Sequence, residues 1–382
     1  MSTFSRIATR AIAFALAGAL AGCGSIWPWS APSKPPMPQP PAVATVIPAK
    51  LAWTYRLAPG GAGFMPAYSA GSIFAASAAG AVVRLDAVTG REAWRVDLGK
   101  KIVAGVGSDG RAVAVALEDG VLVALDVSGK QRWSASLGAD AVTVPAVGEG
   151  LVVVRTGDNR VQAFDLASGK RRWIFSRQNP PLVLHQTASI TLTPDTAYVG
   201  LPGGRLVALD MKSGAVRWEA SIAQARGATE IERIADVVGT PLVRSGLVCA
   251  ANYNGRLACF DALSGRARWS REVSSITGVE IDSRLVVSVD EKDKIHAFST
   301  SGSSVWRQEK YSGRVLSAPI SVGPVLVFGD SKGLVHLASR DDGAVVGRFT
   351  GDGTPIIGQG VAAERTAVLQ SVGGLLIAVA ID

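Results

Sequence analysis

One short pattern returns along most of this chain. In its clearest copy, Gly204 is followed at +4 by Ala208, at +6 by Asp210, at +10 by Gly214 and at +14 by Trp218. The residues between Gly204 and Asp210 are mostly branched or small, and such residues favour a β-strand. Asp210 offers a side-chain acceptor that closes a turn, and Gly214 can adopt a positive φ. The unit is therefore a β-hairpin whose second strand carries a tryptophan.

Seven further stretches keep this frame, with small deviations. They begin at Gly80, Gly120, Asn159, Gly255, Asp293, Gly333 and Gly374. The copy that starts at Gly333 has Gly347 where the tryptophan is expected. The copy that starts at Gly374 reaches Asp382 without its last strand, so we expect that strand to come from another part of the chain.

A matching strand stands near the N-terminus, in Leu51-Ala52-Trp53-Thr54-Tyr55. The tryptophans from Trp53 to Trp306 are separated by 41, 39, 40, 45, 51 and 37 residues, a period typical of four-stranded propeller blades. We therefore predict an all-β fold over residues 51–382, an eight-bladed β-propeller of four-stranded antiparallel blades in which the N-terminal strand completes the last blade. An open solenoid is the alternative, but it would need a polar cap at each end.

The first 22 residues have the composition of a signal peptide. Arg6 and Arg10 precede an apolar run that is too short for a membrane-spanning helix, and small residues lead to Cys23. We predict a lipoprotein signal peptide over residues 1–22 and lipidation of Cys23; the alternative is an ordinary signal peptide cut nearby. Eight prolines between residues 25 and 50 predict an extended tether over residues 23–50.

The charge of the chain argues against nucleic acid as a partner. The formal net charge of +8 falls to +6 when Arg6 and Arg10 leave with the signal peptide (8 − 2). The remaining positive residues are spread through turns, whereas a nucleic-acid surface gathers them on one face beside exposed aromatic residues. We interpret them as solvated side chains.

The sequence offers little for catalysis, so we predict no enzyme activity, no catalytic or metal-binding residue and no cofactor. The chain has no zinc-protease, nucleophile-elbow or phosphate-loop motif. Its histidines are His185, His296 and His336, and the last two share one offset in consecutive copies, at which no third metal ligand is available. Cys249 and Cys259 flank a predicted hairpin turn, but sequence does not set the register to one residue, so their pairing stays open.

Two insertions lengthen the repeat, at residues 175–189 and 219–238. In an antiparallel four-stranded blade, the link to the next blade leaves on the same face as the turn between the second and third strands. Both insertions are therefore predicted to lie side by side on one face. The first carries leucines that no blade needs, and the second is predicted to form a short helix opened by Thr229. Exposed leucines beside charges are typical of a protein-binding surface.

The repeat resembles the PQQ-type propeller repeat, and the whole chain resembles the BamB family of outer-membrane lipoproteins. The likeness includes the lipobox, the proline tether, the eight copies, the segment 228–233 before Asp236, and Tyr253-Asn254-Gly255. The resemblance implies a non-enzymatic scaffold at the periplasmic face of the outer membrane. It implies that the scaffold binds the POTRA domains of BamA and other subunits of the BAM complex, and that it assists assembly of β-barrel proteins, with unfolded outer-membrane proteins as further partners.

The resemblance also implies which residues contact the partner. They are Leu182, Leu184, His185, Asp236 and Val238. An arginine is common in the family where His185 stands, and a second aspartate where Val238 stands.

Two other functions stay open. A PQQ-dependent dehydrogenase would use an adjacent pair of cysteines with Glu, Asn and Asp around Ca²⁺ and the quinone, and this chain has no adjacent cysteines. A propeller scaffold for a different periplasmic partner is not excluded by the sequence.

Overall fold

The computed structural model describes residues 36–43, 45–178, 180, 182–183, 189–223, 229 and 234–382. The predicted signal peptide, Cys23 and the first part of the predicted tether lie outside these ranges. The described chain holds 32 strands and no helix, arranged as eight four-stranded antiparallel sheets. This confirms the predicted eight-bladed β-propeller. Pro38–Asp382 form one compact unit.

Blades 1 to 4 follow one another in the order of the sequence. Blade 1 holds β2 (Ala67–Ser69), β3 (Ser72–Ala76), β4 (Ala81–Asp86) and β5 (Glu92–Asp97); blade 2 holds β6 (Gly107–Ser108), β7 (Ala112–Ala116), β8 (Val121–Asp126) and β9 (Gln131–Ser136). Blade 3 holds β10 (Ala146–Gly148), β11 (Leu151–Arg155), β12 (Arg160–Asp165) and β13 (Arg171–Ser176); blade 4 holds β14 (Ile190–Leu192), β15 (Thr196–Leu201), β16 (Arg205–Asp210) and β17 (Val216–Ser221).

Blades 5 to 8 continue the series, and the last of them takes a strand from the N-terminal end. Blade 5 holds β18 (Val237–Arg244), β19 (Leu247–Asn252), β20 (Leu257–Asp261) and β21 (Ala267–Arg271); blade 6 holds β22 (Ser275–Ile281), β23 (Leu285–Asp290), β24 (Ile295–Ser299) and β25 (Ser304–Gln308). Blade 7 holds β26 (Ile320–Val322), β27 (Val325–Gly329), β28 (Leu334–Ser339) and β29 (Val345–Thr350); blade 8 holds β30 (Val361–Ala363), β31 (Thr366–Gln370), β32 (Leu375–Ile381) and β1 (Ala49–Arg56).

The blades form a closed ring. The first strand of each blade contacts the first strands of the two neighbouring blades, and this holds at all eight joints, including that between β30 of blade 8 and β2 of blade 1. The first strands therefore line the centre and the fourth strands lie outside. The second and third strands are almost wholly buried, because each blade is covered on both sides by its neighbours.

The N-terminal strand closes the ring as predicted. β1 pairs antiparallel with β32, from Ala49 opposite Ile381 to Arg56 opposite Leu375, and becomes the outer strand of blade 8. The strand begins at Ala49, two residues before the predicted boundary at Leu51.

Tryptophans of the fourth strands join each blade to the next. In every case the indole N–H donates to the carbonyl of the residue that follows the third strand of the next blade. The seven bonds run from Trp53 to Ala87 (3.0 Å), Trp94 to Val127 (2.7 Å), Trp133 to Leu166 (2.9 Å), Trp173 to Met211 (2.8 Å), Trp218 to Ala262 (3.0 Å), Trp269 to Thr300 (2.9 Å) and Trp306 to Arg340 (2.9 Å). We call each of these contacts an interlock.

The interlock explains why the motif needs its glycine and its aspartate. Gly169 has φ +71°, and a Cβ atom there would lie 2.6 Å from the Trp133 ring, so both the turn and the ring require glycine. Asp165 Oδ1 accepts the Ser168 N–H at 2.9 Å and holds that turn in place. The turn then presents the Leu166 carbonyl to the indole.

One joint of the ring has no interlock. Blade 7 carries Gly347 at the tryptophan position, opposite Leu337 in the register. A Cβ atom on Gly347 would lie 3.3 Å from the Leu337 side chain, so leucine takes part of the space that an indole fills elsewhere. This is the joint between blades 7 and 8.

The two internal cysteines form a disulfide. Cys249 of β19 and Cys259 of β20 are directly opposite each other in the register, with Cα atoms 4.1 Å apart. Both residues are fully buried in blade 5. The bond therefore links two neighbouring strands of one blade.

Replacing Trp53 with alanine should weaken the closure of the ring. The side chain is 8% exposed, and loss of a large core side chain together with its hydrogen bond typically costs about 3–5 kcal/mol of unfolding free energy. Denaturant titration measures this loss. Leu51→Ala is the matched control, because Leu51 lies on the same strand but is 49% exposed, and it should change the free energy by less than about 0.5 kcal/mol. Equal losses in the two variants would contradict the role given to Trp53.

Candidate functional site

The propeller has two different faces. On one face, the links between blades bond with the turns between second and third strands: the Leu98 N–H donates to the Gly80 carbonyl at 3.0 Å, and the Ile222 N–H to the Gly204 carbonyl at 2.8 Å. We call this the link face. The opposite face, here the turn face, carries the remaining turns of each blade, including the motif turns with Asp165 and Asp210.

The described ends of the two predicted insertions lie on the link face, next to each other. They belong to the links between blades 3 and 4, from residue 177 to 189, and between blades 4 and 5, from residue 222 to 236. Pro180 of the first link lies beside Gly203, since a Cβ atom on that glycine would be 3.7 Å from the proline ring. This agrees with the placement predicted from the alternation of strands.

A groove runs between the first long link and blade 4. Its described lining includes Asn159, Arg177, Gln178, Pro180, Pro202, Arg205 and Glu219. Glu219 forms ion pairs with Arg205, at 2.9 Å, and with Arg177. These groups are partly or largely exposed, so the pairs shape the groove more than they stabilise the fold.

Leu182 is the predicted contact residue that the structure describes at the surface. It is 44% exposed, so its side chain is available to another protein. Leu184 and His185, the two other predicted contacts of this link, lie outside the described residues.

Asp236 is buried, which the sequence did not reveal. It is 4% exposed, its Oδ1 accepts the Gly203 N–H at 2.9 Å, and its backbone carbonyl accepts the Tyr253 N–H at 2.9 Å. Its negative charge also acts on Arg155 of blade 3. Burial lowers the pKa of the Arg155 guanidinium to about 10, and the charge of Asp236 partly opposes this by raising the pKa. Asp236 therefore connects blades 3, 4 and 5 beneath the link face.

Val238 is buried as well, which the sequence did not reveal either. It lies in β18 opposite Ala251 and is 1% exposed. The next residue, Gly239, approaches the Thr277 backbone of blade 6 so closely that a Cβ atom there would overlap its carbonyl. The inner strands of blades 5 and 6 are thus pressed together, and the Val238 side chain is enclosed between them.

The predicted helix of the second link lies largely outside the described residues. Ile234 to Asp236 are irregular, and residues 230–233 are not among the described ones. The structure therefore does not test that helix.

The described histidines serve as hydrogen-bond partners of aspartates. His296 Nε2 lies 2.9 Å from Asp290 Oδ2, and His336 Nε2 lies 2.8 Å from Asp330 Oδ2. Burial lowers the pKa of His336 more than Asp330 raises it. Burial would raise the pKa of Asp330, but the bonds from His336, the Leu334 amide and Arg314 outweigh it and bring the value to about 2.

No group of His, Cys, Asp or Glu in the described ranges is arranged to hold a metal ion. The described residues also contain no helix that is long and apolar enough to cross a membrane.

Comparison with known proteins gives a consistent result. The sequence profile of the family described as "Outer membrane protein assembly factor BamB" matches residues 43–104 and 78–308. The BamB protein of Bordetella pertussis is 39% identical over 333 residues, which cover 86% of each chain. That of Burkholderia pseudomallei is 39% identical over 333 residues, covering 86% of this chain and 87% of its own. That of Escherichia coli is 31% identical over 326 residues, covering 82% and 83%.

Solved structures share the fold. A crystal structure of BamB from Moraxella catarrhalis superposes with a TM-score of 0.80 at 26% identity, covering 87% of this chain and 99% of that one. A quinohemoprotein alcohol dehydrogenase from Comamonas testosteroni superposes with a TM-score of 0.66 at 14% identity, covering 87% and 76%. At that identity the second likeness concerns the fold alone.

Asp236→Ala should destabilise the link face from below. The substitution removes the acceptor of the Gly203 N–H and a negative charge that stabilises the buried Arg155 guanidinium, so we expect the unfolding free energy to fall by about 2–4 kcal/mol. Denaturant titration measures the loss, and hydrogen exchange should be faster in the turn at residues 202–204.

The control is Glu118→Ala, which removes an exposed carboxylate from the same face of blade 2, paired at 3.3 Å with Lys101. We expect a change below about 0.5 kcal/mol for it. If both variants lose the same stability, Asp236 does not organise the blades as described.

Proposed function

The chain belongs to the BamB family of outer membrane protein assembly factors, and from this premise we propose how the propeller works in that assembly. It is a scaffold of the BAM complex associated with the outer membrane. We propose that its link face, with the two long links between blades 3, 4 and 5, docks on the periplasmic POTRA domains of BamA. On this proposal the propeller supports the insertion of β-barrel proteins without catalysing a reaction.

The exposed Leu182 is the observation that carries this proposal. The residue stands on one of the two longest links, and Pro180 of the same link lines a groove together with Arg177, Arg205 and Glu219. An apolar anchor surrounded by polar groups is the usual anatomy of a protein–protein interface. Leu184 and His185 follow in the same link, and we propose that they take part in the same contact.

Asp236 and Val238 act indirectly in this proposal. Both are buried, so they do not present side chains to a partner. They hold the inner end of the second link and the neighbouring turn of blade 4, and we propose that a change at either residue would alter binding by moving those loops.

A lipid anchor at Cys23 is the second part of the proposal. The signal sequence with its small residues before Cys23 supports it. Cys23→Ser should move the protein from the membrane fraction to the aqueous periplasmic fraction, because serine has no thiol to carry the thioether-linked lipid that would anchor it. Immunoblotting of the two fractions measures this. Unchanged membrane fractionation would contradict the anchor.

Leu182→Asp should abolish co-purification with BamA. A carboxylate buried at an interface without a partner is costly, whereas the same group is solvated in the free protein. We expect at least a tenfold loss of BamA in a pull-down from detergent-solubilised membranes, with the melting temperature within about 2 °C of the unsubstituted protein.

The matched control is Val88→Asp. Val88 is 77% exposed but stands in a motif turn on the turn face, so the same charge should leave BamA binding unchanged. Loss of binding in the control, or full binding by a folded Leu182→Asp variant, would place the contact elsewhere.

A further inference from the structure

The joint between blades 7 and 8 lacks an interlock, but it has a buried apolar core. Its core contains Val327, Leu337, Leu369 and Ile377, all fully buried. Ile47 packs against this cluster from the outside. Residues 38–48, here called the strap, precede β1 and run along this part of the ring; Ala44 is outside the described residues.

Hydrogen bonds attach the strap to the ring, and proline carbonyls are among the acceptors. Prolines lack an N–H but keep a carbonyl that can accept a hydrogen bond. The Pro38 carbonyl accepts from Arg314 Nη1, and the Pro41 carbonyl accepts from Arg348 Nη1 at 3.2 Å. Near its end, the strap donates from the Ile47 N–H to the Val346 carbonyl of β29 at 3.3 Å.

The first attachment completes a buried ion pair. Arg314 is 2% exposed and lies 2.6 Å from Asp330, whose side chain is fully buried. A buried guanidinium requires acceptors for its N–H groups. The Pro38 carbonyl supplies one of these acceptors. The strap therefore binds at the Arg314–Asp330 ion pair of the ring.

The side chains of the strap divide into an inner and an outer set. Val43 packs against the cluster between blades 6 and 7, and Ile47 against that between blades 7 and 8. Val46, in contrast, is 81% exposed. The two inner residues therefore contact the clusters on both sides of blade 7, which is the blade that carries Gly347 in place of a tryptophan.

We propose that the strap is a clasp that closes the joint between blades 7 and 8, in place of the interlock that Gly347 leaves out. The clasp is built from the chain that leads to the predicted membrane anchor. On this proposal residues 38–48 belong to the folded propeller and do not act as a spacer. The proposal concerns the ring itself and does not depend on the docking partner.

The test uses the full-length protein with Ile47→Gly and the matched control Val46→Gly. We expect Ile47→Gly to lower the melting temperature by about 4–8 °C and Val46→Gly by less than about 2 °C, since only the first removes packed apolar surface. Hydrogen exchange should become faster in β29 and β32 and stay unchanged in blades 2 to 4. Equal melting temperatures for the two variants, or faster exchange spread evenly over all blades, would overturn the proposal.

One further variant keeps the test decisive if Ile47→Gly does not fold. Arg348→Ala removes only an exposed donor to the Pro41 carbonyl of the strap, and it should also speed exchange in β29. Unchanged exchange in β29 of the folded Arg348→Ala protein would contradict the clasp.

Discussion

The hydrogen bond from a tryptophan indole of one blade to a carbonyl of the next is the contact on which the ring depends. It explains the composition of the motif turn, because a side-chain acceptor closes the turn that offers the carbonyl and the glycine leaves room for the ring. That acceptor is an aspartate in most blades and a serine, Ser299 or Ser339, in blades 6 and 7. The indole hydrogen bond also explains the spacing, since the tryptophan must stand on the outer strand at the height of the neighbouring turn. A propeller built from such joints gains its stability in small, repeated steps, as repeat proteins do.

The same architecture assigns different tasks to the two faces. The interlocks occupy the turn face, where the Asp and Gly turns are needed for packing and have little freedom to vary. The link face carries the connections between blades, and these can lengthen without disturbing a joint. Both long links stand there, above the buried Asp236, which connects three blades. The proposed docking surface therefore lies where the fold tolerates insertion and where a buried carboxylate keeps the neighbouring turns in position.

Much of this could be predicted from the sequence because the signal is periodic. The repeated motif gave the number of blades, and Trp53 supplied the strand that the last copy lacks. Features that depend on exact register or on distant residues could not be predicted. The pairing of Cys249 with Cys259 needs a register known to one residue. The burial of Val238 follows from the close approach of blades 5 and 6, and the sequence around Val238 does not predict that approach.

The contacts of the strap could not be predicted from the sequence either. Its prolines correctly indicate a segment that cannot join a sheet as a donor, and a spacer is the natural interpretation. Their carbonyls, however, accept hydrogen bonds from Arg314 and Arg348, which lie 276 and 307 residues away in the sequence. A proline-rich segment can thus become part of a fold when the ring supplies the donors.

Site-specific photo-crosslinking in intact cells tests the central functional claim most directly. A photoreactive residue would be placed at Asp158, Pro202 or Asn254 on the link face of blades 3, 4 and 5, and at Ser168, Ser213 or Ser264 on the turn face of the same blades. The account predicts crosslinks to BamA from the link-face positions and none from the turn-face positions. Crosslinks to BamA from the turn face, with none from the link face, would contradict it.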